Sequence, residues 1–305
     1  LYVGSDDGLI HITEDGGATW RKMDAFPGIP RLIYTSAVLA SRHDPDRVYA
    51  LFNNHKRGDF TPYLLRSDDR GRTWTSIAGN LPDRHVLWDI IEDPENPDLL
   101  FVGTELGLFA TLDGGNDWFE LGDLPTIPVR DMEIHEGMGD LVLGTFGRGF
   151  YVMDDYTPLR TVAEAAASGD ATLFAIRDAY THEPIRYYSA GSGVGEYTAP
   201  NPPFGAILDY YLPTAQEAGE VMLVVRNQAG EQVAEVEASS EAGLHRAVWN
   251  LREMPPEPPQ GQEQRRRRQE PLVDPGTYVV TLEARAGEVS RALTEAQRVR
   301  VVPLR

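Results

Sequence analysis

Cysteine is absent from all 305 residues, which excludes disulfides and thiolate-bound metals. No run approaches the ~18 consecutive apolar residues of a membrane-spanning helix. Positive charge is scarce: 28 Lys and Arg against 47 Asp and Glu leave a net charge of −19. A surface of that sign repels nucleic acid and anionic membranes at long range. It suits a neutral or cationic partner. The histidines (His11, His43, His55, His85, His135, His182 and His245) show no metal-ligand spacing. No calcium loop and no Ser-His-Asp order stands out, and the glycines at 191, 193 and 195 lack the flanking strand and helix of a nucleotide loop. No metal and no cofactor is expected. No secretion signal is visible, but the chain opens on Leu1 inside a strand-like run, so further residues upstream are expected.

What the sequence does have is repetition. Short runs of Val, Ile, Leu, Phe and Tyr recur between Gly, Pro, Asp and Asn, the pattern of strands and turns. Segments starting at Leu1, Val48, Leu100 and Leu141 align with one another, and the last breaks off at Tyr156, Thr157 and Pro158. The equivalent turn aspartates are Asp15, Asp69 and Asp113, spaced 54 and 44 residues apart. A period of roughly 40–50 residues built from short strands predicts a β-propeller. One complete unit reads as four strands, 86–91, 99–103, 107–112 and 118–121. The first unit lacks its first strand and the fourth lacks its last, which predicts about three and a half blades in an all-β chain.

The repeated turn follows the pattern Ser/Thr-x-Asp-x-Gly-x-Thr-Trp. Its copies are Thr13, Asp15, Gly17 and Trp20; Ser67, Asp69, Gly71 and Trp74; and Thr111, Asp113, Gly115 and Trp118, the last with Asp117 in place of Thr. The carboxylate is expected to accept backbone N–H groups across a tight hairpin, and Gly to supply a backbone angle that other residues resist. The indole is expected to bury against the next sheet. These residues are read as structural.

The turns resemble the Asp-box (BNR-repeat) propellers: sialidases, two-propeller xyloglucanase-type glycosidases and the sortilin (Vps10) ectodomain. The run from Gly147 to Arg160 is similar to the end of the propeller in large bacterial proteins described as glycosyl-hydrolase-like or sortilin-like. Phe204, Trp249, Pro275 and Tyr278 match landmarks of the immunoglobulin-like module that follows there. The resemblance implies that this chain is the C-terminal part of such a protein. It further implies upstream blades of the same polypeptide, and export to the periplasm, cell surface or medium.

Three regions are expected: blades over 1–157, a connector with one short helix and a loop over 158–203, and an immunoglobulin-like β-sandwich over 204–305. Thr157 is the expected helix cap. About seven short strands beyond residue 204 support the sandwich. Between them, Arg265, Arg266, Arg267 and Arg268 stand among Pro and Gln, read as a solvated insert rather than an anion site.

Strand order places the loops between second and third strands, and the connections between blades, on one face. That face gathers the candidate catalytic carboxylates Asp6, Asp7, Asp59 and Glu105, suited in type to acid–base glycoside hydrolysis. It also gathers the candidate binding residues Arg31, Arg84, His85, Arg130 and Arg148. Two functions fit. One is a glycan- or peptide-binding or scaffolding part of an exported propeller protein. The other is part of a secreted glycoside hydrolase, sialidase- or xyloglucanase-like, whose active site is not complete in these residues. Neither implies membrane insertion. Exposed strand edges predict a poorly stable, aggregation-prone chain when isolated; a monodisperse sample that melts cooperatively would contradict this.

Overall fold

The computed structural model describes residues 1–122, 124–181, 203–216, 219–254, 271–287 and 289–304. The glycine run at 191–195 and the basic run at 265–268 lie outside the described residues. The chain divides into two compact units, Leu1–Arg160 and Thr161–Arg305.

The first unit holds four antiparallel sheets in chain order. The first contains β1 (Tyr2–Gly4), β2 (Ile10–Ile12) and β3 (Arg21–Met23). The second contains β4 (Tyr34–Ala40), β5 (Val48–Asn54), β6 (Asp59–Ser67) and β7 (Thr75–Ser76). The third contains β8 (Leu87–Glu92), β9 (Leu100–Thr104), β10 (Gly107–Thr111) and β11 (Phe119–Glu120). The fourth contains β12 (Val129–His135), β13 (Asp140–Thr145) and β14 (Phe150–Met153). Each sheet is a meander, because the connections are too short for anything but neighbouring antiparallel strands. The leading strands β4, β8 and β12 pack against one another in succession, which turns the meanders into a propeller-like stack.

Each repeated turn closes the hairpin between the last two strands of its sheet, β2–β3, β6–β7 and β10–β11. Around Asp69, the Ser67 hydroxyl donates to Oδ1 at 2.7 Å and accepts the Gly71 N–H at 2.8 Å. The N–H groups of Arg72 and Thr73 reach Oδ1 at 2.9 and 2.8 Å, and the Thr73 hydroxyl reaches Oδ2 at 2.6 Å. The Asp15 turn repeats this scheme through Thr13 and Thr19. Hydrogen bonds from these Thr residues hold both carboxyls far below the usual range. At Asp113 burial pushes the other way, but the backbone N–H of Asp117 and the Thr111 hydroxyl outweigh it, and the net shift is downward. Carboxylates so depressed favour the fold above their unfolded-state pKa, and that contribution is lost as pH falls toward the folded value.

The turn throws its tryptophan onto a neighbouring sheet. Trp74 packs edge-on to Phe26 at 5.6 Å and joins Ile10, Ile12 and Phe52 in one core. Trp118 donates its indole N–H to the Ile77 carbonyl at 2.9 Å and packs among Tyr49, Leu51 and Leu64. Both therefore seat on the preceding sheet in the chain, not the next one as the sequence suggested. The reason lies at the glycine: a Cβ at Gly71 would stand 2.5 Å from Ile12 and one at Gly115 2.9 Å from Ile77, so the turn presses backward. Trp20 has no preceding sheet among the described residues and is 47% exposed, against 6% for Trp74.

The unit ends on a buried latch. The Tyr156 hydroxyl donates to Asp93 Oδ2 at 2.6 Å, Arg160 Nε donates to the same oxygen at 2.9 Å, and Asn96 holds the Arg160 carbonyl at 2.9 Å. Asp93 is fully buried, so the pairing is what allows a charge there.

The second unit opens with α1 (Val162–Ser168), which starts after Thr161; Thr157 instead begins a single 3-10 turn, Thr157–Arg160. One sheet has the order β15 (Thr172–Leu173), β17 (Ala206–Leu212), β20 (Gly243–Trp249). The other runs β16 (Ala179–Thr181), β23 (Gln297–Pro303), β21 (Gly276–Ala286), β18 (Glu220–Arg226), β19 (Gln232–Ala238), with β22 (Val289–Ala292) also on β21. The expected connector over 158–203 thus contains two strands, β15 and β16, each paired into a sheet. Leu208, Tyr210 and Trp249 of one sheet share a core with Leu223, Val225, Leu282 and Val299 of the other.

Replacing Trp74 or Trp118 by Ala is expected to cost about 3–5 kcal/mol, whereas Trp20→Ala costs less than about 1 kcal/mol. Urea denaturation at low protein concentration checks the contrast.

Candidate functional site

The inner strands carry the site. β4, β8 and β12 each have a register break at the same point: between Thr35 and Ala37, between Leu87 and Asp89, and between Val129 and Asp131. A bulge leaves one residue unpaired and re-aims its side chain. The three residues so released are Ser36, Trp88 and Arg130, at equivalent places in successive sheets.

They are joined into one polar and aromatic chain. Ser36 Oγ accepts from Asn53 Nδ2 at 2.6 Å, and Asn53 Oδ1 pairs with His55 Nδ1 at 2.7 Å. The His55 ring meets Trp88 edge-on at 5.3 Å. The guanidinium carbon of Arg130 lies over Trp88, 3.4 Å from the ring centre, and 5.4 Å from the ring centre of Phe146. Glu105 ties the pair together, accepting the Trp88 indole N–H at 2.8 Å and an Arg130 N–H at 3.4 Å. Phe146 itself is largely exposed. Nearby, the buried Oδ1 of Asn54 has no donor among the described residues.

Asp89 follows the bulged Trp88 and spans two sheets: its Oδ2 accepts the Met132 N–H at 2.9 Å. Burial first, then the neighbouring Asp131 and Glu133 carboxylates, push its carboxyl up to about 6, although the Ile90 and Met132 N–H groups pull back.

Glu105 and Arg130, both anticipated, stand together. Asp59 accepts from Asn54 at 3.1 Å and from Tyr63 at 2.8 Å, and these bonds outweigh burial to hold its carboxyl below the usual range. That favours a fastening of the β5–β6 loop over a proton donor. Asp7 is held low chiefly by the Ser5 hydroxyl. Asp6 is exposed beside it in the β1–β2 turn. Arg84 lies over Phe60 at 5.6 Å and His85 against Phe109 at 5.4 Å. Arg31 makes no ion pair among the described residues, and Arg148 is exposed between β13 and β14. Sequence reasoning missed Ser36, Trp88 and Asp89. The available signal was positional: Trp88-Asp89 and Arg130-Asp131 recur 42 residues apart. Among the described residues, no group of three or more His, Asp or Glu is placed to hold a metal ion.

Fold and site together describe a propeller-like unit with an aromatic and charged loop face. No family model matches the chain. Over 134 residues, 41% of the chain, it is 28% identical to a probable oligoxyloglucan-reducing end-specific xyloglucanase of Neosartorya fischeri, spanning 16% of that relative's length. Among solved structures, the GH74 xyloglucanase from Xanthomonas campestris matches with a TM-score of 0.41 at 14% identity, over 98% of this chain and 52% of that one. PorZ of Porphyromonas gingivalis matches with a TM-score of 0.39 at 12% identity, over 99% and 44%.

A carboxyl near 6 in the fold and about 3.9 when unfolded stabilises the protein fully below about pH 4, and that stability is lost as pH rises toward 6. Asp89→Asn, which keeps an acceptor for Met132, is therefore expected to raise stability at pH 8 by roughly 2–3 kcal/mol and to flatten the pH dependence between about 4 and 6. Denaturation midpoints measured across pH check both effects.

Proposed function

We propose that the first unit is part of an Asp-box β-propeller, about three and a half blades of it, whose loop face binds a glycan. The observation that carries this is the row of bulges. Three consecutive inner strands break register at one level and deliver Ser36, Trp88 and Arg130 to the same face. A defect repeated at one level, and filled each time by a different polar or aromatic residue, serves recognition better than stability. Phe146 offers an exposed ring on which a sugar face can lie, and Arg130 and Glu105 offer a donor and an acceptor side by side. The local similarity to a xyloglucanase supports a carbohydrate over a peptide. The two-sheet second unit is an immunoglobulin-like module that spaces or anchors the face. The parent protein is exported, in keeping with that similarity; among the described residues no helix is long and apolar enough to cross a membrane.

A hydrolytic role is the second reading, favoured by Asp89. A carboxyl with a pKa of about 6 is suited to give or take a proton near neutrality. The face within these residues then contributes part of a cleft.

Calorimetric titration with neutral and acidic oligosaccharides and with unstructured peptides tests the binding reading. Phe146→Ala and Arg130→Ala are each expected to weaken oligosaccharide binding about tenfold or more, a loss of at least ~1.4 kcal/mol, while Asp69→Asn leaves the affinity of folded protein unchanged. Binding of peptides alone sinks the glycan assignment. Turnover of aryl glycosides or natural glycans, abolished by Asp89→Asn or Glu105→Gln, establishes the hydrolytic reading.

A further inference from the structure

Positive charge in the first unit is sorted by place. Residues 1–160 carry 14 Lys and Arg against 27 Asp and Glu, so carboxylates are plentiful. Away from the loop face, every Lys and Arg of the unit sits in an ion pair. Arg47 reaches Asp68 at 2.7 Å, Arg70 reaches Asp46 at 2.5 Å and Arg160 reaches Asp93 at 2.9 Å. On the loop face the pattern reverses. Arg31, Lys56, Arg57 and Arg84 are exposed, and none of them has a carboxylate partner among the described residues.

Rings and backbone hold these cations instead. Lys56 Nζ stands 4.3 Å from the centre of the Tyr34 ring, and the guanidinium carbon of Arg84 5.6 Å from that of Phe60. Arg57 donates to the Leu32 carbonyl, beside Arg31. Arg130, over Trp88, has one carboxylate, Glu105 at 3.4 Å, and shares it with the Trp88 indole. The acids of the same loops are engaged elsewhere or stand apart. Asp7 accepts from Ser5, Asp59 from Asn54 and Tyr63, and Asp24 pairs with Lys22. Asp6 and Asp83 are exposed and in no ion pair with these cations. A ring beneath a cation steadies its stem but is no counter-ion, so the N–H groups keep their capacity for an anion.

The distribution of the cations decides which anion fits. Arg31 and Arg57 meet at the connection from β3 to β4, Lys56 lies on a ring of β4, Arg84 on a ring of β6 and Arg130 on a ring of β8. Each is fixed at its own support, and they follow one another across successive sheets. A lone carboxylate meets few of them, whereas a chain with anionic groups at intervals meets the whole row. We infer that the loop face takes a linear acidic polysaccharide, with uronate or sulfate groups falling on these cations. The inference rests on the glycan reading above and adds the charge of the ligand. Nucleic acid is also a repeated anion, but the 27 carboxylates of the unit disfavour so densely charged a partner.

Calorimetric titration of the intact chain with an oligouronate, a sulfated oligosaccharide, a neutral oligosaccharide of equal length and single-stranded DNA tests it. The expected result is that at least one acidic oligosaccharide binds about tenfold or more tighter than the neutral one, and that its affinity falls as salt rises from roughly 50 to 500 mM. The two acidic ligands distinguish uronate from sulfate. Lys56→Gln and Arg84→Gln, both on exposed side chains, should each weaken acidic binding about fivefold and lessen its salt dependence. Arg72→Gln, a cation outside the face, should leave it unchanged. A neutral oligosaccharide that binds as tightly overturns the inference and leaves the glycan reading standing, whereas a chain that binds no oligosaccharide overturns both. DNA bound as tightly as the acidic oligosaccharides also overturns it, as does an acidic monosaccharide bound as tightly as the oligomer. Acidic binding indifferent to both Lys56→Gln and Arg84→Gln does the same.

Discussion

The constraint on which the first unit depends is a carboxylate folded into its own hairpin. Asp15, Asp69 and Asp113 each gather backbone and hydroxyl donors within a few residues, and that closure fixes where the following indole goes. The hydrogen bonds are local and solvent-facing, so their net worth individually is modest. Their effect is directional. They aim Trp74 and Trp118 backward across a glycine that touches the preceding sheet, and the hydrophobic gain of burying a large aromatic then locks sheet to sheet. Turn chemistry supplies the aim and burial supplies the energy.

Much of this was legible in the sequence, because the repeat period, the turn residues and the strand composition all point the same way. The four strands read between 86 and 121 correspond to β8, β9, β10 and β11 within two residues at each end. The side on which each indole lands was not legible, since spacing alone carries no direction. β15 and β16 escaped notice because two- and three-residue strands have no periodicity to read. The bulges escaped for a deeper reason: a bulge is a property of pairing between two strands, and Ser36, Trp88 and Arg130 share no residue type that would announce it. Asp89 looked like an ordinary polar residue in an alternating strand. Only the backbone N–H of Met132 and the carboxylates of Asp131 and Glu133 make its environment unusual.

The loop face combines packed and exposed side chains. Arg130 packs on Trp88 on one side and bonds Glu105 at its edge. Phe146 lies in a glycine-containing loop with its N–H on the Pro128 carbonyl at 2.9 Å and its ring largely exposed. The Asp89 carboxyl sits one residue from this cluster and draws its proton affinity from the packing of β8 on β12. The same contact that holds two sheets together thereby sets the proton affinity of a group beside the loop face.

The repeated register break has an evolutionary consequence. Because the pairing on either side of it is made by backbone, the released position tolerates serine, tryptophan or arginine without disturbing the strand that carries it. Each of the second, third and fourth sheets thus presents one interchangeable letter at a fixed height. A lineage can change what the face presents one sheet at a time, leaving the backbone pairing beneath untouched.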